Sequence, residues 1–248
     1  MRAGAYTARV SDAPRTLIVG NSDGIGLAVT RRLLAAGHDV TGVSRRASPI
    51  EAERYTHLVA DVAAADFRPT IRQLAARRGP FGLCIYCAGI GEPLDVADLG
   101  PDARVFQVNL LGAVETLAAV IPAMAAARAG HVLVLSSLAD DVLSPQVPSY
   151  AASKAGLSSY LAGLALALSR HGVAVTNVRF GFVDTKLARA RRRPFLMPIE
   201  KAVDVIMRAL ETRRPRVTHP LRMALLVKIL RAAALLRLWL ARPPQQPH

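Results

Sequence analysis

The sequence predicts an α/β fold in which a doubly wound parallel β-sheet is covered by helices on both faces. Short aliphatic runs alternate with helical patterns through most of the 248 residues, and no internal repeat interrupts them. Hydrophobic residues make up 52% of the chain and aromatic residues only 5%, as expected for aliphatic strands packed between alanine-rich helices. Ligands of such a sheet bind at the carboxyl ends of its strands, so residues that follow a strand are the candidates for function.

A glycine-rich turn joins the first predicted strand to the first predicted helix. The strand Thr16 to Val19 leads into Gly20-Asn21-Ser22-Asp23-Gly24-Ile25-Gly26, and apolar residues then recur at helical spacing. The glycines let the backbone approach a pyrophosphate, and the helix N-terminus offers free N–H groups with a positive dipole. The turn predicts a Rossmann-type dinucleotide site, although its spacing is not the common Gly-x-Gly-x-x-Gly.

The second predicted strand, His38 to Ser44, ends at Arg45 and Arg46. An acid at this strand end would hydrogen-bond a ribose 2′-hydroxyl, whereas an arginine would bind a 2′-phosphate. The pattern therefore favours NADP over NAD. Asp23 opposes that choice, because a carboxylate in the glycine turn can lie close to the phosphate.

The third predicted strand, Leu58 to Asp61, ends at an acid. Asp61, followed by Val62, either contacts the adenine amine or caps the helix predicted from Phe67 to Arg78.

The two cysteines lie in and directly after the fourth predicted strand, Phe81 to Tyr86, which closes on Cys87-Ala88-Gly89. Alternation along a strand sends Cys84 and Cys87 to opposite faces, so we expect neither a disulfide nor a metal site. Unpaired thiols favour a reducing compartment, and we expect a cytoplasmic protein. Residues 1–14 lack the continuous apolar run of a signal peptide and predict a flexible leader.

Two polar residues stand out in the middle of the chain. Asn109 lies among apolar neighbours in a helix predicted from Pro101 to Ala127, which indicates a buried polar role. Ser137 follows the fifth predicted strand, Val132 to Leu135, and therefore lies at the edge of the sheet where ligands bind.

Tyr150 and Lys154 begin the next predicted helix, which extends to Arg170 and which we expect Ser149 to cap. Residues four apart share a helix face, so the phenol and the ammonium can point into one site. A cation within about 4–6 Å favours the phenolate, and we expect Lys154 to lower the pKa of Tyr150.

With these residues in place, the chain resembles the short-chain dehydrogenase/reductase family over about residues 15–210. The glycine turn, Asp61, Ala88-Gly89 and the stretch Phe180 to Thr185, which follows a sixth strand at Val173 to Arg179, resemble its cofactor-binding motifs. Its catalytic tetrad is matched by Asn109, Ser137, Tyr150 and Lys154, with Ser137 thirteen residues before Tyr150.

The resemblance implies an NADP-dependent oxidoreductase that reduces a carbonyl, or oxidises the matching alcohol, by hydride transfer. Ser137 and Tyr150 would polarise the carbonyl and Tyr150 would donate the proton, while Lys154 would hold the nicotinamide ribose and Asn109 would anchor a relay water. The implied cofactor contacts are Gly20, Ser22, Asp23, Gly24, Ile25, Gly26, Arg45, Arg46, Asp61, Val62, Ala88, Gly89, Tyr150, Lys154, Gly181, Val183 and Thr185. A non-catalytic dinucleotide-binding sensor or scaffold is the alternative.

The chain departs from the family pattern in three places. Cys87 replaces an asparagine and Phe180 replaces a proline. After the helix predicted from Pro198 to Leu210, the family's final strand with its glycine-rich signature is missing from the pattern. We expect a homodimer or a tetramer, and the missing signature leaves the choice open.

The net charge of +14 is concentrated at the C-terminus, since residues 179–248 hold 16 Lys and Arg against 4 Asp and Glu. A solvated surface, nucleic acid, an acidic carrier and anionic lipid all fit such charge, and of these we expect no nucleic acid partner. We expect a catalytic domain over 15–218 and a basic, apolar helical extension over 219–248 with a disordered end.

The stretch Leu221 to Leu240 is apolar but carries four cations, Arg222, Lys228, Arg231 and Arg237. It is a poor membrane span, because each central cation costs about 2.5–3.5 kcal/mol. Three interpretations stay open: it packs on the body, joins a dimer, or lies on the inner face of a membrane, where the protein would reduce lipid-like substrates.

Overall fold

The computed structural model describes residues 13–187 and 193–240. Most of the expected leader and the expected disordered end lie outside these ranges, as do Arg189, Arg191 and Arg192, three of the 16 cations counted above in residues 179–248.

Seven parallel strands form one sheet in the order β3-β2-β1-β4-β5-β6-β7. Its strands are β1 (Arg15–Val19), β2 (Asp39–Ser44), β3 (Tyr55–Val59), β4 (Leu83–Tyr86), β5 (Gly130–Ser137), β6 (Val173–Phe180) and β7 (Arg216–His219). The chain reverses its direction of winding between β1 and β4, and a crevice for ligands opens at the carboxyl ends of strands flanking such a point.

Helices cover both faces of the sheet, which confirms the predicted fold class. They are α1 (Gly24–Ala35), α2 (Phe67–Arg78), α3 (Gly100–Phe106), α4 (Gly112–Ala126), α5 (Pro148–Leu168), α6 (Ile199–Thr212) and α7 (Leu221–Leu240). Residues of α2, α4 and α5 form the core on one face, and residues of α1 and α6 form the core on the other. Cys84 belongs to the first core and Cys87 packs against the second, as alternation predicts.

Two strands differ from their predictions. β3 begins at Tyr55 and ends at Val59, so Asp61 lies beyond the strand rather than at its end. The expectation that a final strand is missing is wrong, because β7 pairs with β6 at the sheet edge. β7 is four residues long, includes Arg216 and His219, and lies between prolines, so it has none of the aliphatic run that marks the inner strands.

The long helix predicted around Asn109 is continuous from 100 to 126 but contains a π-helical turn at Gln107–Leu111. A π-turn inserts an extra residue and frequently marks a functional site. This stretch is long and apolar enough to span a membrane, and 44% of its most apolar window is buried inside the fold. That burial fits a helix packed on a sheet.

The helix that carries Tyr150 begins at Pro148, with Val147 as its N-cap. Proline fits the first turn of a helix, since its missing N–H would have no partner there. The expectation that Ser149 caps this helix is therefore wrong. Ser149 instead donates a hydrogen bond to Asp102 in α3 at 2.8 Å.

Candidate active site

A cleft of about 660 Å³ opens at the carboxyl ends of the central strands. It brings together most of the predicted cofactor contacts, namely Gly20, Ser22, Asp23, Gly24, Ile25, Gly26, Arg45, Arg46, Val62, Ala88, Gly89 and Thr185. Residues far apart in sequence thus line one concave surface, as the topology requires.

Five predicted cofactor contacts do not line this cleft: Tyr150 and Lys154, which lie on α5 and are described below, and Asp61, Gly181 and Val183. Asp61 accepts hydrogen bonds from the Ala63 amide at 3.0 Å and from Arg104 at 2.7 Å, so its carboxylate is already paired. Gly181 lies against α7, where an added Cβ would approach the Met223 sulfur to 2.6 Å. Val183 is buried and pairs with Met197.

The glycine turn is shaped for close approach of a ligand. Gly20 has φ of +86°, and a Cβ there would lie 2.4 Å from the Ala88 amide, so only glycine fits. Asp23 caps α1 by accepting from the Gly24 amide at 2.8 Å. The first turn of α1 lines the cleft and, after the Asp23 cap, contains no acidic side chain. This helix N-terminus therefore suits an anion such as a pyrophosphate. These features fit a dinucleotide.

A polar network that the sequence did not predict lies at the end of the cleft where Arg45 and Arg46 are found. The buried Asn21 amide donates to the Tyr55 hydroxyl at 2.7 Å, and that hydroxyl contacts the His57 ring at 2.8 Å. His57 and Ser44 both contact the Arg46 carbonyl, at 3.0 and 2.8 Å. The network links the glycine turn to the loop after β2 through β3, and no local pattern signals it because its members are up to 36 residues apart.

Asp23 links two cations across the mouth of the cleft. Its carboxylate accepts from Lys186 at 2.7 Å and lies 3.6 Å from Arg46. The hydrogen bonds from Lys186 and the Gly24 amide lower the pKa of Asp23, so it is charged at neutral pH. The structure thus places this acid beside the arginine predicted to bind a 2′-phosphate.

Asn109 is fully buried in the π-turn. Its carbonyl accepts from the Ile90 amide at 2.8 Å, and its NH₂ group donates to the Ile90 carbonyl at 2.8 Å and to Ser153 at 3.0 Å. The side chain therefore fixes the loop after β4 against α5, next to Gly89. The predicted buried polar role is confirmed.

Lys154 lies on α5 with only 3% of its surface exposed. Its ammonium donates to the Leu135 carbonyl at 3.0 Å and lies 6.0 Å from the centre of the Tyr150 ring. Burial lowers the pKa of Lys154 to about 8, although the charges of Cys87 and Asp140 oppose this shift. It is mostly protonated at neutral pH.

Tyr150 packs its ring beside Gly91, and Ser137 caps a short 3₁₀ turn after β5 by accepting from the Ala139 amide at 3.1 Å. Burial raises the pKa of Tyr150, while a hydrogen bond with Ser137 acts in the opposite direction and the charge of Asp140 adds to the rise. The expected lowering of this pKa by Lys154 is therefore wrong for this structure, because desolvation is the largest cause of the shift and the Lys154 ammonium donates its hydrogen bond to the Leu135 carbonyl.

A buried ion pair lies behind Ser137, in the turn that follows β5. Arg179 in β6 and Asp140 in the 3₁₀ turn each expose 3% of their side chains and are hydrogen-bonded through two nitrogens. Asp140 also accepts from Ser158 of α5 at 2.6 Å, and Arg179 contacts Asp141 as well. The pair holds the turn after Ser137 against β6 and α5. Within the described residues, no three His, Cys, Asp or Glu side chains form a metal-binding group.

Comparisons with known proteins match this chain to short chain dehydrogenases and other oxidoreductases. The family model for short chain dehydrogenase matches residues 15–194. An uncharacterized oxidoreductase of Myxococcus xanthus is 32% identical over 223 residues, which cover 84% of this chain and 88% of the relative. A very-long-chain 3-oxoacyl-CoA reductase of Podospora anserina is 28% identical and aligns with 73% of this chain, but this alignment spans only 58% of its own length.

Solved structures share the fold. A short chain dehydrogenase from Burkholderia cenocepacia in complex with NADP superimposes with a TM-score of 0.80 at 24% identity, covering 95% of this chain and all of that structure. A 4-hydroxyisoleucine dehydrogenase complexed with NADH gives 0.73 at 17% identity, covering 82% and 95% of the two chains. The same architecture therefore accommodates either nicotinamide cofactor.

Proposed function

Because the chain belongs to the short-chain dehydrogenase/reductase family of NAD(P)-dependent oxidoreductases, we propose that it reduces a carbonyl, or oxidises the matching alcohol, using NADP and the four residues Asn109, Ser137, Tyr150 and Lys154. One observation carries the proposal. A buried, mostly protonated lysine lies one helical turn from a tyrosine, with its ammonium 6.0 Å from the tyrosine ring, beside a cleft that fits a dinucleotide.

NADPH, when bound, supplies the hydride. The glycine turn and the first turn of α1 would hold its pyrophosphate, Arg45 and Arg46 its 2′-phosphate, and Thr185 and Lys154 its nicotinamide end.

The chain's own residues bind the carbonyl and move the proton. Ser137 and Tyr150 donate hydrogen bonds to the carbonyl oxygen and stabilise the negative charge that develops there. The Tyr150 proton then passes to that oxygen and leaves a phenolate, which the Lys154 ammonium stabilises. The raised pKa keeps Tyr150 protonated before reaction, which suits the direction of reduction. Asn109 fixes the loop at Ile90 and, by resemblance, anchors the water that returns the proton.

Tyr150→Phe tests the proposed acid. We expect NADPH oxidation with a panel of ketones and aldehydes to fall by about 10²–10⁴-fold in kcat, because general acid catalysis contributes about that factor. NADPH binding, followed by fluorescence, should stay within a few-fold. Tyr160→Phe, on the same helix, is the control and should leave the rate unchanged. Tight NADPH binding without oxidation by any substrate, and no effect of Tyr150→Phe, would favour the sensor or scaffold instead.

Arg46→Ala tests the cofactor preference. A charged hydrogen bond contributes about 1.5–3 kcal/mol, so we expect NADPH affinity to fall by about 10–100-fold while NADH affinity changes little. Titration calorimetry with both cofactors measures this, with the exposed Arg31→Ala on α1 as the control. An equal loss of affinity for NADPH and NADH would show that Arg46 does not bind the 2′-phosphate. The function of Arg46 would then be its ion pair with Asp23.

A second candidate makes the substrate a lipid-like carbonyl. It is supported by the Podospora anserina relative, which is named a very-long-chain 3-oxoacyl-CoA reductase. It is also supported by the apolar helix α7, because the first turn of α7 packs on Gly181, directly after β6. Comparing kcat/KM for long and short 3-oxoacyl thioesters distinguishes the two, and equal values would reject the lipid-like class.

The homodimer or tetramer and the cytoplasmic location also stay proposals. Family resemblance supports the first and the two free thiols support the second. Sedimentation velocity would measure the assembly.

A further inference from the structure

Helix α7 exposes more apolar surface than any other helix among the described residues. It places Leu221, Leu225, Ile229, Leu236 and Trp239 in solvent, with exposures between 56% and 80%. Of its 20 residues only Val227 is buried. Contiguous exposed apolar surface of this kind marks a binding site rather than a free surface.

The helix touches the body along one narrow stripe. Val227 is buried, Met223 and Ala234 are half-buried, and Arg231 lies 3.7 Å from Asp141 in the turn behind Ser137. At about 100° per residue, these four side chains fall within roughly 80° of one another. One of the four cations is thus directed to the body, and the remaining surface of the helix faces away from it.

The outward face is apolar with cations on both sides. Leu225, Ile229 and Leu236 lie within about 40° of one another, and Lys228 and Arg237 lie roughly 80–100° to either side of them. Arg222, in the first turn, lies on the apolar face itself, where its long stem can carry the guanidinium outward. This is the arrangement of a helix that lies in a membrane interface with cations at the level of the headgroups.

The positive charge of α7 and its surroundings favours an anionic partner for the exposed face. No Asp or Glu follows Glu211 in the sequence, whereas eight Lys and Arg do. Among the described residues, Arg222, Lys228 and Arg237 have no ion-pair partner. We propose that α7 docks the protein on the surface of an anionic lipid bilayer.

A second copy of the chain fits the exposed face of α7 less well than an anionic bilayer does. Two α7 helices packed on each other would bring their cations together without a carboxylate on either helix. An anionic headgroup layer supplies the missing charges and accepts the apolar face at once. The docking rests on α7 alone and not on the proposed reaction.

Flotation of the full chain with vesicles tests the proposal. We expect binding to vesicles of phosphatidylglycerol and phosphatidylcholine but not to phosphatidylcholine alone. The variant Arg222→Gln/Lys228→Gln/Arg237→Gln should bind on the order of a hundredfold more weakly, because each cation near an anionic surface contributes about 1 kcal/mol. The matched control Arg31→Gln/Arg77→Gln/Arg208→Gln removes the same charge from exposed sites on α1, α2 and α6 and should bind normally.

A second pair of variants tests the apolar face. Leu225→Ser/Ile229→Ser should release the protein from vesicles, whereas Leu166→Ser, at a position 81% exposed on α5, should not. Both change exposed residues, so their urea midpoints should match that of the unchanged protein. Carbonyl reduction without vesicles is measured on the same variants, so failure of docking and failure of the proposed function are told apart. Equal flotation of all variants, or a dimer that Ile229→Ser dissociates while no vesicle binds, would overturn the proposal.

Discussion

At the scale of single residues, burial decides the electrostatics of the site. Sequence reasoning places Tyr150 and Lys154 on one helix face, and it expects the cation to dominate the phenol. The structure shows the opposite balance, since desolvation raises the pKa of Tyr150 and lowers that of Lys154. Spacing along a helix predicts that two groups meet, but their pKa values depend on how much water the rest of the fold excludes.

Lys154→Met should stabilise the protein while abolishing activity. The folded state lowers the pKa of Lys154 from 10.5 to about 8, so the folded protein binds a proton there less readily than the unfolded chain. Keeping the ammonium buried at pH 7 therefore costs about 2–3 kcal/mol, which methionine removes. Urea unfolding at pH 7 measures the gain.

The stability advantage of Lys154→Met should depend on pH, which provides a control. Between about pH 8 and 10.5 the unfolded lysine keeps its proton while the folded one loses it, so the cost fades as pH rises. The advantage of Lys154→Met should therefore shrink towards pH 10.5. A variant less stable than the unchanged protein at pH 7 would show that the Leu135 hydrogen bond outweighs desolvation.

At the scale of elements, the inner strands and the helices could be predicted from the sequence because apolar periodicity marks them. β7 could not, because an edge strand of four residues needs no apolar run. The Arg179–Asp140 pair could not either. It depends on the register that sets Ser136 of β5 opposite Arg179 of β6, and on the turn that brings Asp140 back over them.

Arg179→Met should cost about 3–5 kcal/mol of stability, because it leaves the Asp140 carboxylate buried without its cation. The double variant Arg179→Met/Asp140→Leu should recover most of that loss, since it removes both charges. Urea unfolding of both single variants and the double variant closes the cycle.

An exposed pair provides the comparison. Arg68 makes two hydrogen bonds to Glu115 between α2 and α4, with 65% of the arginine side chain exposed. Arg68→Met should therefore cost far less stability than Arg179→Met, because solvent screens an exposed pair. If the two arginine variants cost the same, burial is not what makes the Arg179 pair matter.

At the scale of the whole molecule, the sequence was sufficient for the fold class and for most of the residues that line the cleft. Ordered motifs at strand ends identify them, because a parallel sheet gathers those ends at one edge. The sequence was not sufficient for contacts between distant units, such as Asn21 with Tyr55 or Lys186 with Asp23. The free surface of α7 also required the structure, because only the fold shows which stripe meets the body.

The fold keeps several histidines neutral, and this makes its stability depend on pH. His131 of β5 exposes 4% of its surface, contacts Thr176 at 2.8 Å, and has its pKa lowered by burial to about 4. The pKa values of His38, His57 and His219 are also lowered, with burial as the main cause. Unfolded histidines bind protons near pH 6.5, so the unfolded chain gains protons first as the solution is acidified.

Stability should therefore be fully present above about pH 6.5 and fall as pH decreases towards 4, with His131 contributing about 3 kcal/mol of the loss. His131→Asn keeps a polar partner for Thr176 but does not titrate, so its free energy of unfolding should fall less steeply, by up to about 1.4 kcal/mol per pH unit. Urea unfolding at several pH values between 7 and 4 measures both slopes, and the exposed His171→Asn should follow the unchanged protein. Parallel slopes for all three would mean that His131 binds its proton equally well in the folded and unfolded protein, which would contradict the role given to it.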